Sequence, residues 1–175
     1  VYDTLGEEDE DSWQRVLSPG HVFKGACVVD NGLIRAVVGL DGSTGSPLSI
    51  LGWDGSSWRE LALIESARPS PRHFKITAIG PEAVLVELDG LSSSDENALF
   101  RLEVRRGLPY ALLENLSGED QDLYTRRTAS RFDFTWGYGL RDNVLDGGEI
   151  SMGPGPDLFH LALADGLVLF RARAR

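Results

Sequence analysis

Strict alternation of apolar and charged residues over 98–105 is the feature that most constrains how this chain folds. One side of such a segment carries the apolar residues Ala98, Phe100, Leu102 and Val104. The other side is mostly charged, and this period of two is typical of a half-buried β-strand. Arg-Gly-Leu-Pro at 106–109 then predicts a turn, and the apolar stretch 110–115 predicts a returning strand. We therefore predict a central antiparallel hairpin over 98–115.

Similar turn signals recur along the chain. Asn31-Gly32 lies between two apolar runs, which is the strongest short signal for a hairpin, and Asp54-Gly55 and Asp165-Gly166 are further examples. Strands are predicted over 22–29, 33–38, 47–53, 58–65, 73–79, 83–89, 98–105, 110–115, 131–136, 158–164 and 167–173. Residues 116–129 are predicted to form a loop, and 137–157 an irregular stretch. The pattern predicts an all-β fold, an antiparallel two-sheet β-sandwich of about ten or eleven strands with little or no helix.

The first twenty residues differ in composition from the rest. They contain five consecutive acids at 7–11, and like charges repel, so 1–20 is predicted to be an acidic N-terminal arm or linker, followed by a β-sandwich domain over 21–175. A charge run of this kind is typical of a solvated tail. Trp13 offers an alternative, because a lone tryptophan in a polar segment often inserts into its own domain or a neighbour. Trp13 is therefore the candidate residue of an interaction arm.

Net charge and apolar run lengths exclude several classes of partner. The chain has 17 basic and 27 acidic residues and a formal net charge of −10, whereas nucleic acids and anionic membranes attract basic surfaces. We therefore predict no nucleic-acid partner. No apolar run reaches the roughly 18 residues that a membrane span needs, so no membrane span is predicted. Cys27 is the single cysteine, and its apolar neighbours favour a small buried side chain over a nucleophile.

No motif in the chain identifies a reaction. We therefore favour a non-enzymatic role and predict no catalytic residue, no metal site and no cofactor. Acids on predicted strands could line one sheet face as the carboxylate pair of a glycosidase does, namely Glu87, Glu103, Glu114 and Asp133. Acids that alternate with apolar residues are also typical of an ordinary solvated face, which is the favoured interpretation. The three histidines, at 21, 73 and 160, are too scattered for a metal motif.

The aromatic residues suggest a binding surface. Trp53 and Trp58 flank a tight turn, and an alternating row follows at Phe132, Phe134, Trp136 and Tyr138. An exposed row would be a sugar-stacking platform or a protein interface, and a buried row would be core. Alternation favours core for the two phenylalanines and leaves both interpretations open for Trp136 and Tyr138. The candidate glycan-binding residues are Trp53, Trp136, Tyr138 and Asp133.

Two stretches carry a family resemblance. They are 28–61, VVDNGLIRAVVGLDGSTGSPLSILGWDGSSWREL, and 100–117, FRLEVRRGLPYALLENLS. An Asn-Gly-Leu-Ile-Arg strand, a strand ending in a tryptophan turn and an Arg-Gly-x-Pro hairpin together resemble β-sandwich domains of tail and minor tail proteins of long-tailed bacteriophages. The first stretch is also similar to the opening strands of galactose-mutarotase-like β-sandwiches. The catalytic His and Glu of mutarotases have no matching position in this chain.

The two resemblances imply different functions. The phage resemblance implies a structural module of a virion tail that packs against copies of itself or other structural subunits. The mutarotase resemblance implies a carbohydrate-binding or carbohydrate-active domain, with a surface glycan as partner. A virion or extracellular location is the corresponding expectation. Assembly predicts an apolar patch at a sheet edge, whereas glycan binding predicts exposed aromatic side chains beside carboxylates.

Overall fold

The described part of the chain forms two antiparallel sheets. The computed structural model describes residues 1–39, 48–53, 55–65, 74–92, 95, 97–108, 110–127, 148–152, 155–164 and 167–173. Across these residues the sheets pack face to face as a sandwich, and the one helical element they contain is the 3-10 turn Glu10–Ser12. The predicted all-β, two-sheet fold is therefore confirmed.

Fourteen strands make up the two sheets within the described ranges. In chain order they are β1 (Tyr2–Asp3), β2 (Gln14–Arg15), β3 (Cys27–Asp30), β4 (Ile34–Val38), β5 (Leu48–Trp53), β6 (Trp58–Glu65), β7 (Phe74–Ile79), β8 (Ala83–Leu88), β9 (Phe100–Arg105), β10 (Tyr110–Asn115), β11 (Gln121–Arg127), β12 (Gly148–Met152), β13 (Gly155–Ala164) and β14 (Leu167–Arg173). The larger sheet has the order β12-β11-β6-β5-β4-β3-β1-β2, and the smaller has the order β14-β13-β10-β9-β8-β7. Consecutive strands thus pair as hairpins through most of both sheets.

Most of the predicted strands are present, and four further strands add to them. Ten predicted strands correspond to β3–β10, β13 and β14, and the eleventh, 131–136, lies outside the described residues. The prediction of a loop over 116–129 is wrong, because Gln121–Arg127 pairs with β6 on one side and β12 on the other. The prediction of an irregular stretch over 137–157 is wrong for Gly148–Met152, which is β12. Cross-strand pairing outweighs the low apolar content of these segments.

The core lies between the two sheets, where the alternating residues of each sheet meet. The predicted apolar side of β9 is buried, which confirms the central hairpin and its orientation. From the larger sheet, Ile34, Ala36 and Ile50 face this layer within one hydrophobic cluster. Because side chains alternate along each strand, the residues between them, such as Arg35, lie on the outer face of the larger sheet.

The N-terminal residues form part of the larger sheet. Tyr2 lies opposite Val28 of β3 on one side and opposite Arg15 of β2 on the other. The acidic run between β1 and β2 forms the 3-10 turn, in which the N–H of Asp11 donates to the Asp9 carboxylate at 3.1 Å. The division of the chain into an arm at 1–20 and a domain at 21–175 stays a prediction. The structure shows that residues 1–20 contain the two short strands β1 and β2.

Asn31 connects the two sheets. Its Oδ1 accepts hydrogen bonds from the N–H groups of Leu33 at 2.9 Å and Ile34 at 2.7 Å, which close the β3–β4 turn. Its Nδ2 donates to the carbonyls of Arg105 at 2.6 Å and Leu108 at 2.8 Å, in the β9–β10 turn. Gly32 has a φ of 86°, a left-handed conformation that glycine adopts without steric cost. One side chain therefore joins the turns of both sheets.

Candidate functional site

Arg35 is the centre of a cluster on the outer face of the larger sheet. It lies in β4 between two core residues, so its side chain leaves the core and crosses the outer face. Asp30, its register partner on β3, accepts bonds from Arg35 Nε at 3.0 Å and Nη2 at 2.8 Å. Glu10 accepts from Nη1 at 2.6 Å and Nη2 at 3.1 Å. Two carboxylates thus hold one guanidinium, and the bond to Glu10 is bidentate.

Aromatic rings cover the guanidinium of Arg35. Its Cζ lies 4.3 Å from the ring centre of Trp58 and 5.4 Å from that of Trp13, both within cation–π range. The row extends on both sides, because Trp53 lies 5.4 Å from Trp58 and Tyr2 lies 6.4 Å from Trp13. The outer-face cluster is defined here as Tyr2, Glu10, Trp13, Asp30, Arg35, Trp53 and Trp58.

Burial and charge act in opposite directions on Arg35. Only 8% of the residue is exposed, and this desolvation disfavours the cation. Hydrogen bonds and attraction from Glu10 and Asp30 outweigh the burial and raise the pKa of Arg35 above its ordinary value. The same hydrogen bond lowers the pKa of Glu10, whose side chain is 56% exposed. The guanidinium is therefore a permanent cation, and the segment that carries Glu10 is the more accessible side of the contact.

A second set of hydrogen bonds, centred on Asp3, holds the start of the N-terminal segment against the residues that precede β3. Asp3 is fully buried and accepts hydrogen bonds from the N–H groups of Leu5, Lys24 and Gly25, each at 2.9 Å. His21 Nε2 lies 2.8 Å from Oδ2 of this carboxylate, the oxygen that also accepts from the Lys24 N–H. Burial alone would raise the pKa of Asp3, but the hydrogen bonds lower it. Because residues 24 and 25 turn around this carboxylate, β3 begins at Cys27 rather than at the predicted Val22.

The acids of the smaller sheet form ion pairs along its outer face. Glu87, Arg101 and Glu114 occupy matching positions on β8, β9 and β10. Arg101 lies 4.0 Å from Glu87 and 3.4 Å from Glu114, and Glu103 pairs with Arg105 on β9. An arginine between two carboxylates is a cross-strand charge ladder, which matches the favoured interpretation of these acids as a solvated face. Asp133, the fourth predicted acid, lies outside the described residues.

The predicted site residues fall into two groups. Trp13 and Trp53 both belong to the outer-face cluster, where Trp58 and Arg35 connect them. Trp136, Tyr138 and Asp133 lie outside the described residues, so their part in a binding site stays a prediction. The sequence interpretation omitted Glu10, Asp30 and Arg35. A signal was present at Arg35, because it is the single charged residue in the apolar run LIRAVV at 33–38.

Cys27, the single cysteine, belongs to the core. Cys27 is fully buried, and burial raises the pKa of its thiol to about 12, which confirms the prediction of a small buried side chain. Across the described ranges, no group of three or more His, Cys, Asp or Glu residues is arranged to hold a metal ion. None of the helical structure in these ranges has the length and apolar character needed to cross a membrane.

The outer-face cluster has the chemistry of a binding surface. It offers flat aromatic rings for stacking and a fixed cation for bidentate contact with a carboxylate. In this structure the chain itself supplies that carboxylate, through Glu10. Comparison with protein families, with characterised proteins and with solved structures finds no match to this chain.

Proposed function

We propose that this chain is a non-enzymatic assembly module that packs against neighbouring copies of itself or against other structural subunits. The supporting observation is a pair of exposed apolar side chains, Leu17 at 74% and Val22 at 81% exposure. Both lie on the connector between β2 and β3. Large apolar side chains are stabilised when a partner removes them from water, by about 1.5–3 kcal/mol each when fully buried.

The position of these two residues supports the proposal. β2 lies at one edge of the larger sheet, and β7 lies at one edge of the smaller sheet. Phe23, which follows Val22, packs on Phe74 of β7 with ring centres 4.9 Å apart. The exposed pair therefore lies where an edge of each sheet meets, and sheet edges are common places for another chain to dock.

A virion tail is the setting that we propose for this module. The basis is the resemblance of 28–61 and 100–117 to phage tail sandwiches. The first stretch covers β4, β5 and parts of β3 and β6, and the second contains β9 and β10. The Asn31 side chain joins the two stretches through its bonds to Arg105 and Leu108. A virion or otherwise extracellular location is part of the same proposal.

Light scattering after size exclusion, over a wide range of concentrations, tests the assembly function. We expect the wild-type mass to rise above the monomer value with concentration. The double variant Leu17→Ser/Val22→Ser should remain monomeric. Leu33→Ser/Leu99→Ser is the matched control, because these leucines are each 38% exposed and lie elsewhere on the surface. A wild-type protein that stays monomeric at the highest concentration would refute the proposal.

Glycan binding is the second candidate function, and the Trp53–Trp58 pair favours it. The rings lie across a hairpin, 5.4 Å apart and tilted by 59°, at the outer face of the larger sheet. Partly exposed tryptophan rings of this kind stack on apolar faces of sugars. A glycan array followed by fluorescence titration would test this function, and Trp53→Ala should abolish binding. Trp58 is unsuitable for the test because it also covers Arg35.

A further inference from the structure

We propose that neighbouring copies exchange residues 1–16, so that each N-terminal segment pairs with β3 of the other copy and contacts that copy's Arg35. The partner on this surface is thus a second copy of the same chain. This inference rests on the proposed assembly function and specifies its mode. It accounts together for three observations, which are the complementary charges of the cluster, the attachment of the segment, and the exposed connector at 17–22.

The first observation is that the segment and its binding surface are complementary in charge and shape. Glu10 makes a bidentate contact with Arg35, and Trp13 covers the same guanidinium. Trp13 Nε1 also donates to the Glu7 carbonyl at 3.0 Å, which holds the ring within its own segment. These groups would make the same contacts with Arg35 of another copy as with their own.

The second observation is that the segment is attached as a strand and as a core residue. β1 adds to β3 in register, which is the way that one chain completes the sheet of another. Val16, at the end of the segment, belongs to the hydrophobic core, and its N–H donates to the Val1 carbonyl at 2.9 Å. Residues 1–16 are therefore one unit that can bind the same surface in either copy.

The third observation concerns the connector, Leu-Ser-Pro-Gly-His-Val at 17–22. In the closed monomer it folds back, and the His21 N–H donates to the Ser18 carbonyl at 3.4 Å. In this folded-back conformation of the connector, the side chains of Leu17 and Val22 are exposed. Extended, six residues reach about 20 Å. In an exchanged pair the two connectors would run side by side, and their four apolar side chains would pack together.

The balance of contacts favours exchange at high concentration. The contacts of residues 1–16 are re-formed in the dimer, and opening the monomer breaks the bond between the His21 N–H and the Ser18 carbonyl in the connector. Association costs translational and rotational freedom, and the burial of the connectors offsets that cost. The exchanged form is therefore expected to increase with protein concentration.

Disulfide trapping between two different chains tests the exchange directly. Tyr2 and Val28 are register partners, so cysteines at these positions meet the distance needed for a disulfide. One chain carries Tyr2→Cys and the other Val28→Cys, both with Cys27→Ser, and the two are refolded together before oxidation. We expect a covalent dimer on a non-reducing gel. With random pairing, about half of the dimers contain one chain of each kind.

Two controls separate the outcomes. Val37→Cys replaces Val28→Cys in a parallel mixture, because Val37 lies one strand beyond Val28 and should give no cross-link with residue 2. A single chain with both Tyr2→Cys and Val28→Cys reports that the disulfide can form at all. If that chain closes within itself while the mixture stays uncross-linked, the exchange is refuted. An oligomer detected by light scattering under the same conditions would leave the assembly function standing.

Discussion

Replacing Asn31 by aspartate would test whether one side chain holds the two turns together. The change keeps the shape of the side chain and retains an oxygen to accept from the N–H groups of Leu33 and Ile34. It replaces the amide nitrogen by a carboxylate oxygen, which would face the carbonyls of Arg105 and Leu108 at 2.6 and 2.8 Å. The substitution thus removes the hydrogen bonds that Asn31 makes to the smaller sheet and leaves the hairpin turn intact.

The expected loss follows from the two donated hydrogen bonds. At a net value of about 1 kcal/mol for each bond, Asn31→Asp should lower the free energy of unfolding by about 2 kcal/mol. With a urea slope of about 2 kcal/mol per molar, the midpoint of unfolding falls by about 1 M. Repulsion between the carboxylate and two carbonyl oxygens raises the pKa of the new acid. The difference from wild type should therefore shrink at low pH, where the acid is neutral.

Urea unfolding followed by tryptophan fluorescence measures this loss. Asn97→Asp is the matched control, because it introduces the same charge at an exposed position in the loop before β9. We expect Asn97→Asp to leave the midpoint within about 0.2 M of wild type, as surface substitutions usually do. Equal midpoints for the two variants would refute the idea that Asn31 stabilises the sandwich by joining its sheets.

Three further predictions concern the N-terminal half of the larger sheet. Gly25→Ala places a Cβ 2.3 Å from Gly6 N and 2.4 Å from Thr4 Oγ1, so it should destabilise the fold by about 2 kcal/mol and increase amide exchange in β1. Asp3 has a lowered pKa, so its contribution to stability is present above its ordinary pKa of 3.8 and is lost as pH falls through the lower folded value. Asp3→Asn should therefore flatten the fall of the urea midpoint at acidic pH, and an unchanged slope would contradict this assignment. Cys27, with its buried thiol, should react with a thiol reagent at pH 8 only after unfolding, which an absorbance assay with and without urea would show.

The hairpins could be predicted from the sequence because their signals are local. The alternation at 98–105 identifies both the strand and its buried side, since neighbouring residues carry the whole pattern. Asn31-Gly32 identifies the β3–β4 turn for the same reason. The bonds from Asn31 to Arg105 and Leu108 could not be predicted, because they depend on how the two sheets stack.

The strands that were not predicted depend on distant partners. β11 reads QDLYTRR, with little of the apolar alternation that marks a half-buried strand, and it forms because β6 and β12 lie beside it. β1 contributes only Tyr2 and Asp3, a length at which no periodicity can be detected. Its position results from hydrogen bonds between Asp3 and residues more than 20 positions later.

Only part of the outer-face cluster could be predicted from the sequence, because its residues come together only in the folded chain. Trp13 and Trp53 were predicted separately, one as an interaction residue and the other as a glycan-binding residue, because aromatic residues in polar surroundings are conspicuous. Arg35 connects them through space, and its partners Glu10 and Trp58 are 25 and 23 positions away in the chain. A cluster assembled from three separate segments leaves no local pattern in the sequence.

The order of strands along the chain has a consequence during synthesis. Strands β1–β6 of the larger sheet emerge before β7–β10, which cover its inner face. At 5–20 residues per second, the 50 residues from 66 to 115 take roughly 3–10 s to translate. During that interval Ile34, Ala36 and Ile50 have no opposing layer from this chain. We therefore expect a chaperone to bind the nascent chain while the larger sheet is uncovered. Neighbouring ribosomes on one messenger RNA would bring two such unfinished copies close together during the same interval.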